Sequence, residues 1–102
     1  MKLQSLGISQ DRLAELCRRH RIRKLSFFGS VLRHDFTGDS DVDVLVEFEP
    51  DARVGLIRLA GIELELSQLF GRKVDLNTPG FLSPYFREEV LRESETHYVK
   101  TR

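Results

Sequence analysis

Cysteine is nearly absent from this 102-residue chain. Cys17 stands alone, so no internal disulfide can form, and a reducing compartment is the matching environment. No apolar run approaches the 18 or more residues of a membrane span. The N-terminal stretch MKLQSLGISQDRLAEL has neither an apolar core nor a small-residue cleavage site, which argues against a secretory signal and sets the cytoplasm as the expected address. Net charge is missing too, with 16 basic residues balancing 16 acidic ones. Internal repeats, low-complexity tracts and linker-like stretches are also lacking, and this length fits one domain over residues 1–102.

What is present is an ordinary globular balance, 40% hydrophobic and 31% charged. The zero net charge hides an asymmetry. Residues 1–34 carry eight Lys or Arg against Asp11 and Glu15, a net of +6; residues 35–65 carry nine acids against Arg53 and Arg58, a net of −7. A basic segment beside an acidic one suits nucleic acid, an acidic partner or a solvated face equally.

Hydrophobic spacing sets the elements. Ser9 is placed to cap a helix through DRLAELCRRH, whose apolar stripe is Leu13, Leu16 and Cys17, so Cys17 reads as a core filler. KLSFFG (24–29) reads as a buried strand ending at Gly29-Ser30, followed by at most two helical turns in SVLRHDF and a turn at TGDS. DVDVLVEFE (41–49) alternates, with Val42, Val44, Val46 and Phe48 on one face and Asp41, Asp43, Leu45 and Glu47 on the other. A helix then runs to a natural C-cap at Gly71, and KVDLN (73–77) forms a short third strand. Ser83-Pro84 starts a last helix. The tail THYVKTR reads as an edge strand or an irregular end. The order α-β-α-β-α-β-α implies an α/β (α+β) fold: a small mixed β-sheet flanked by helices.

Three features carry chemistry. Gly29-Ser30 ends a strand at a glycine turn, where backbone can approach an anion closely; alone, such a pair is an ordinary turn. Asp41 and Asp43 place two carboxylates on one face of a strand. At an effective dielectric near 20, like charges about 4 Å apart repel by roughly 4 kcal/mol, so the pair calls for a cation, a proton or water. Asp75 in KVDLN points away from Val74 and Leu76, and a neighbouring strand can present it to the same place. An EF-hand starting at Asp39 is excluded, because Val44 and Pro50 occupy the positions that need Gly and Glu.

Gly29-Ser30, ten residues, then Asp41-x-Asp43 resembles the GS-x10-DxD signature of the DNA polymerase β-like nucleotidyltransferases. Over residues 23–95 the chain resembles their minimal nucleotidyltransferase (MNT) branch in particular, and the resemblance implies that family's mixed-sheet fold. It also implies that Asp41 and Asp43 hold two Mg²⁺ ions and that Asp75 completes the site and orients or deprotonates the attacking hydroxyl. By the same resemblance, Gly29 and Ser30 hold the triphosphate of ATP. Arg33 matches a basic position that touches phosphate, a solvent-facing arginine being the alternative. The chain departs from the family pattern at Val31 and His34, where relatives often have a basic residue and a glycine.

MNT proteins of this kind pair with a HEPN-type helical ribonuclease toxin and act as its antitoxin. The implied reaction moves AMP from ATP to a hydroxyl, such as a tyrosine, on that toxin. At this size the acceptor is expected to be held by the partner's surface, with the last helix and the HYV tail as docking candidates or as ordinary core. A non-catalytic module that neutralises its partner by occlusion is the alternative. A basic nucleic-acid-binding unit over residues 12–24 is disfavoured, since it lacks aromatic interleaving. His20, His34 and His97 read as surface or helix-end residues.

Overall fold

Ser9 takes the role its sequence position suggests. Its hydroxyl accepts a hydrogen bond from the Arg12 amide, and helix α1 (Gln10–Arg19) follows, with Asp11 in the first turn and Arg18 and Arg19 in the last. Each charge lies at the helix end whose dipole it complements. The computed structural model describes residues 8–29, 41–81 and 84–100. The helical turns expected in SVLRHDF and the turn at TGDS fall outside these residues.

Arg21 turns the chain through a left-handed residue, φ 59°, into β1 (Ile22–Phe28). That strand starts two residues earlier than the apolar pattern of KLSFFG suggests, because Ile22 is buried beside Phe48 across a bulge. Strand β2 (Val42–Phe48) pairs antiparallel with β1, and helix α2 (Leu56–Phe70) then carries the chain to β3 (Val74–Asn77), which pairs parallel with β2. Parallel neighbours need such a crossover. A short 3-10 turn (Pro79–Phe81) leads toward α3 (Pro84–Glu93) and β4 (Glu95–Val99). The tail is therefore a strand, antiparallel to the outer side of β1. The sheet order is β3-β2-β1-β4, a four-stranded mixed sheet.

One face of the sheet carries most of the core. Leu25 and Phe27 of β1, Val42, Val44 and Val46 of β2, and Val74 of β3 pack with Leu13, Leu16 and Cys17 of α1 and Ile62, Leu66 and Phe70 of α2. Phe27 meets Phe70 edge to face at 5.5 Å, a favoured aromatic arrangement. Burial pushes the Cys17 thiol up to about 12, against a small opposing effect of Arg18, so it stays protonated and inert, as a core filler should.

His97 differs from its surface reading. Its ring lies 4.7 Å from that of Phe27 and its side chain is only 12% exposed, because a bulge in β4 turns it onto the core face. His20 does stand at a helix end, as the C-cap of α1, and contacts Glu65. Among the described residues no helix is long and apolar enough to cross a membrane.

Candidate active site

The opposite face of the sheet holds the acids. Strand alternation turns Val42, Val44, Val74 and Leu76 into the core and leaves Asp43, Asp75 and Asn77 on the other side. Parallel register then sets Asp43 directly beside Asp75, with Val42 beside Val74 and Val44 beside Leu76. Neighbouring strands lie about 4.8 Å apart, so the two carboxylates occupy adjacent places on one surface. Asp41 stands two residues upstream at the mouth of β2, where the Val42 amide donates to the Lys73 carbonyl at 2.9 Å. Lys73 Nζ lies 3.9 Å from the Asp41 carboxylate.

The glycine turn meets this group from the other side. Antiparallel register places Phe28 opposite Asp43, so Gly29 arrives at the acids as β1 ends. Gly29 has φ +75°, and a Cβ built on it would lie 2.3 Å from Asp43 Oδ2. The carboxylate thus occupies the space that any other residue's side chain would need. This requirement for glycine comes both from the backbone angle and from the close approach.

Gly29, Asp41, Asp43 and Asp75 are therefore gathered at one end of the sheet. Ser30, Arg33 and His34 lie outside the described residues. Among the described residues, no three Asp, Glu, His or Cys side chains form a ready-made metal cluster; the acids stand in a row across β2 and β3. Their chemistry nevertheless fits a hard divalent cation, since Mg²⁺ takes carboxylate oxygens together with substrate phosphates.

Two further features were not read from the sequence. Lys73 beside Asp41 is one. The other is how α2 fastens β3, the edge strand beside β2 among the described residues. The Leu76 amide donates to Glu63 Oε2 at 2.8 Å, and the Val74 amide donates to Ser67 Oγ at 3.0 Å. Ser67 Oγ in turn donates to the Glu63 carbonyl. These bonds flank Asp75 on both sides and fix the strand that carries it. The signal was there: Glu63 and Ser67 are polar residues at i, i+4 spacing, on one side of helix α2. Glu63→Ala is expected to lower stability by about 1–2 kcal/mol, because it orphans a strand amide. Glu63→Gln keeps an acceptor and should recover most of that. Thermal melts of the two variants check this; equal losses would show that the hydrogen bond contributes little.

A mixed sheet with strand-borne acids beside a glycine turn on one face, and helices on the other, defines a small α/β domain with an acidic site on its sheet. Residues 11–97 match the model of the nucleotidyltransferase domain. Protein adenylyltransferase MntA of Thermococcus cleftensis is 38% identical over 79 residues, which cover 78% of each chain. A solved structure assigned as a minimal nucleotidyltransferase superposes with a TM-score of 0.74 at 38% identity, over 92% of this chain and 94% of that one. The complex of a tri-AMPylated Shewanella oneidensis HEPN toxin with its MNT antitoxin shares the fold at TM-score 0.66 and 17% identity, over 89% of this chain and 70% of that one. The chain belongs to the nucleotidyltransferase domain family, in its minimal branch.

Proposed function

We propose that this protein transfers AMP from ATP to a hydroxyl group, such as that of a tyrosine, on a HEPN-type toxin, and so serves as the toxin's antitoxin in the cytoplasm. The observation that carries the reading is the register that sets Asp43 beside Asp75 while Gly29 packs under the Asp43 carboxylate. A relative at 38% identity is named a protein adenylyltransferase, and the family's chemistry is nucleotidyl transfer.

In this reading Asp41, Asp43 and Asp75 would hold Mg²⁺, two ions in the family pattern. Bound there, divalent ions neutralise phosphate charge and stabilise the leaving pyrophosphate. Gly29 lets the backbone approach the triphosphate, and Ser30 and Arg33 follow it in the chain as the next phosphate contacts. Asp75 orients the acceptor hydroxyl and takes its proton as oxygen attacks the α-phosphorus. The new P–O bond forms as the bond to the β-phosphate oxygen breaks. Lys73 is positioned to balance charge at Asp41.

The test incubates the chain with ATP labelled on the α-phosphate, Mg²⁺ and the HEPN-type partner. Label should appear on the partner and vanish with Asp41→Asn. If Asp41→Asn and Asp43→Asn neutralise the partner as well as the unaltered chain does, neutralisation is by occlusion and the catalytic reading fails.

A further inference from the structure

Strand β3 is four residues long, and among the described residues it pairs with β2 alone. So short a ladder specifies register weakly, yet a slip of one residue would turn Asp75 from the acid face to the core face. Holding Asp75 in place calls for contacts from outside the ladder.

Helix α2 supplies them. Along a strand, the backbone groups of successive residues point to opposite sides. The Val42 amide donates to the Lys73 carbonyl, so Lys73 and Asp75 turn their backbone groups toward β2. Val74 and Leu76 turn theirs to the open edge. Both outward amides are taken by α2: Leu76 N–H donates to Glu63 Oε2 at 2.8 Å, and Val74 N–H donates to Ser67 Oγ at 3.0 Å. The Asn77 side-chain amide adds a bond to the Asp75 carbonyl at 3.3 Å. Hydrogen bonds thus stand before, at and after the residue that carries the carboxylate. Of the two from α2 the Glu63 bond is the stronger, because a carboxylate accepts more strongly than a hydroxyl.

We infer that Glu63 is a positioning residue for Asp75, a role that rests on the nucleotidyl-transfer reading of the acids. Through the Leu76 amide it fixes how β3 sits against β2, and so sets the Asp75 carboxylate beside Asp43. Glu63 belongs to a helix packed on the core face, so it acts on the acid face only through the strand. Groups that orient a metal-holding side chain are worth about 10- to 100-fold in metal affinity or activity. A residue that served stability alone would have no such effect beyond its thermal cost.

The first readout is binding of Mn²⁺ to the nucleotide-free chain, titrated into the millimolar range and followed by electron paramagnetic resonance. Mn²⁺ shares the preference of Mg²⁺ for carboxylate oxygens. The second readout is the split of kcat from KM for ATP. Glu63→Ala should weaken Mn²⁺ binding by about 10-fold and lower kcat by a similar factor. KM for ATP should hold, because the glycine turn follows β1, which takes no bond from Glu63. Glu63→Gln keeps an acceptor for the Leu76 amide and should restore both quantities. Ser67→Ala, a smaller cut at the neighbouring amide, should move both in the same direction as Glu63→Ala. Ile22→Val is the control. Ile22 is buried at the end of β1 away from Asp43, so the variant loses thermal stability without touching β3 and should keep its Mn²⁺ affinity.

Unchanged Mn²⁺ affinity in Glu63→Ala would overturn the positioning role and leave the reaction assigned above intact. So would a loss in Glu63→Gln as large as in Glu63→Ala, or an equal loss in Ile22→Val. A parent chain that binds no Mn²⁺ would instead defeat the metal-holding role of the acids, and the positioning role with it.

Discussion

Asp43→Asn will reduce AMP transfer by about 1,000-fold while the protein stays folded. Asparagine matches aspartate in shape but not in charge, and it is a poor partner for a hard divalent cation. Removing several kcal/mol of transition-state charge stabilisation corresponds to about three powers of ten in rate. The fold should survive because Asp43 is only partly buried and lies on the face away from the main core. Loss of a charge beside Asp41 and Asp75 also relieves repulsion, so the melting temperature without nucleotide should hold or rise. The informative pair of measurements is transfer rate and melting temperature on the same sample. Full activity in Asp43→Asn would remove this carboxylate from the reaction, and with it the proposed site.

Gly29→Ala will lower transfer by about 100-fold, with a stability loss of about 1–2 kcal/mol. The stability loss comes from forcing a side chain into the left-handed backbone region, φ +75°. The rate loss has a different origin. The new methyl would fall 2.3 Å from Asp43 Oδ2 and 3.2 Å from its Cγ, and so short a side chain can escape only by swinging the carboxylate out of place. A displacement of about 1 Å in a reacting group is worth about 100-fold.

Gly71 separates the two effects. It has nearly the same backbone angle, φ +70°, but a Cβ there meets nothing within 4 Å. Gly71→Ala should therefore lose similar stability and keep its transfer rate. Combining Gly29→Ala with Asp43→Asn should add little further loss, since residues acting as one unit are not additive. If Gly71→Ala lost as much activity as Gly29→Ala, general destabilisation would explain both, and the contact between Gly29 and Asp43 would have no catalytic meaning.

Much of this architecture was legible along the chain. Alternation in β2, helical spacing in α1 and α2, the Ser9 cap and the Gly71 stop are all local signals, and each element begins or ends within about two residues of where those signals place it. The departures arise where a distant partner overrides local pattern. Ile22 joins β1 because Phe48 lies beside it. His97 looks like a surface residue until a bulge turns it against Phe27. The alternation of β2 grouped Leu45 with the acids, and it is indeed on their face, yet it is buried there opposite Ser26. That face is therefore not wholly polar.

By itself the sequence determined which residue types were available for chemistry: a glycine at the end of one strand, two aspartates at the head of the next, and one more in a later strand. It also determined that Asp41 and Asp43 share a side, because strand periodicity is a property of the backbone. It could not decide that Asp75 stands beside Asp43 and not two residues along, or on the other face of the sheet. That depended on the parallel register of β2 and β3, which the Glu63 and Ser67 side chains of α2 help to hold. Nor could it decide that the Asp43 carboxylate closes over Gly29, which follows from the antiparallel pairing of β1 with β2. Register is set by packing and by hydrogen bonds between residues far apart in the chain, and a slip of a single residue would turn every side chain of a strand to the opposite face.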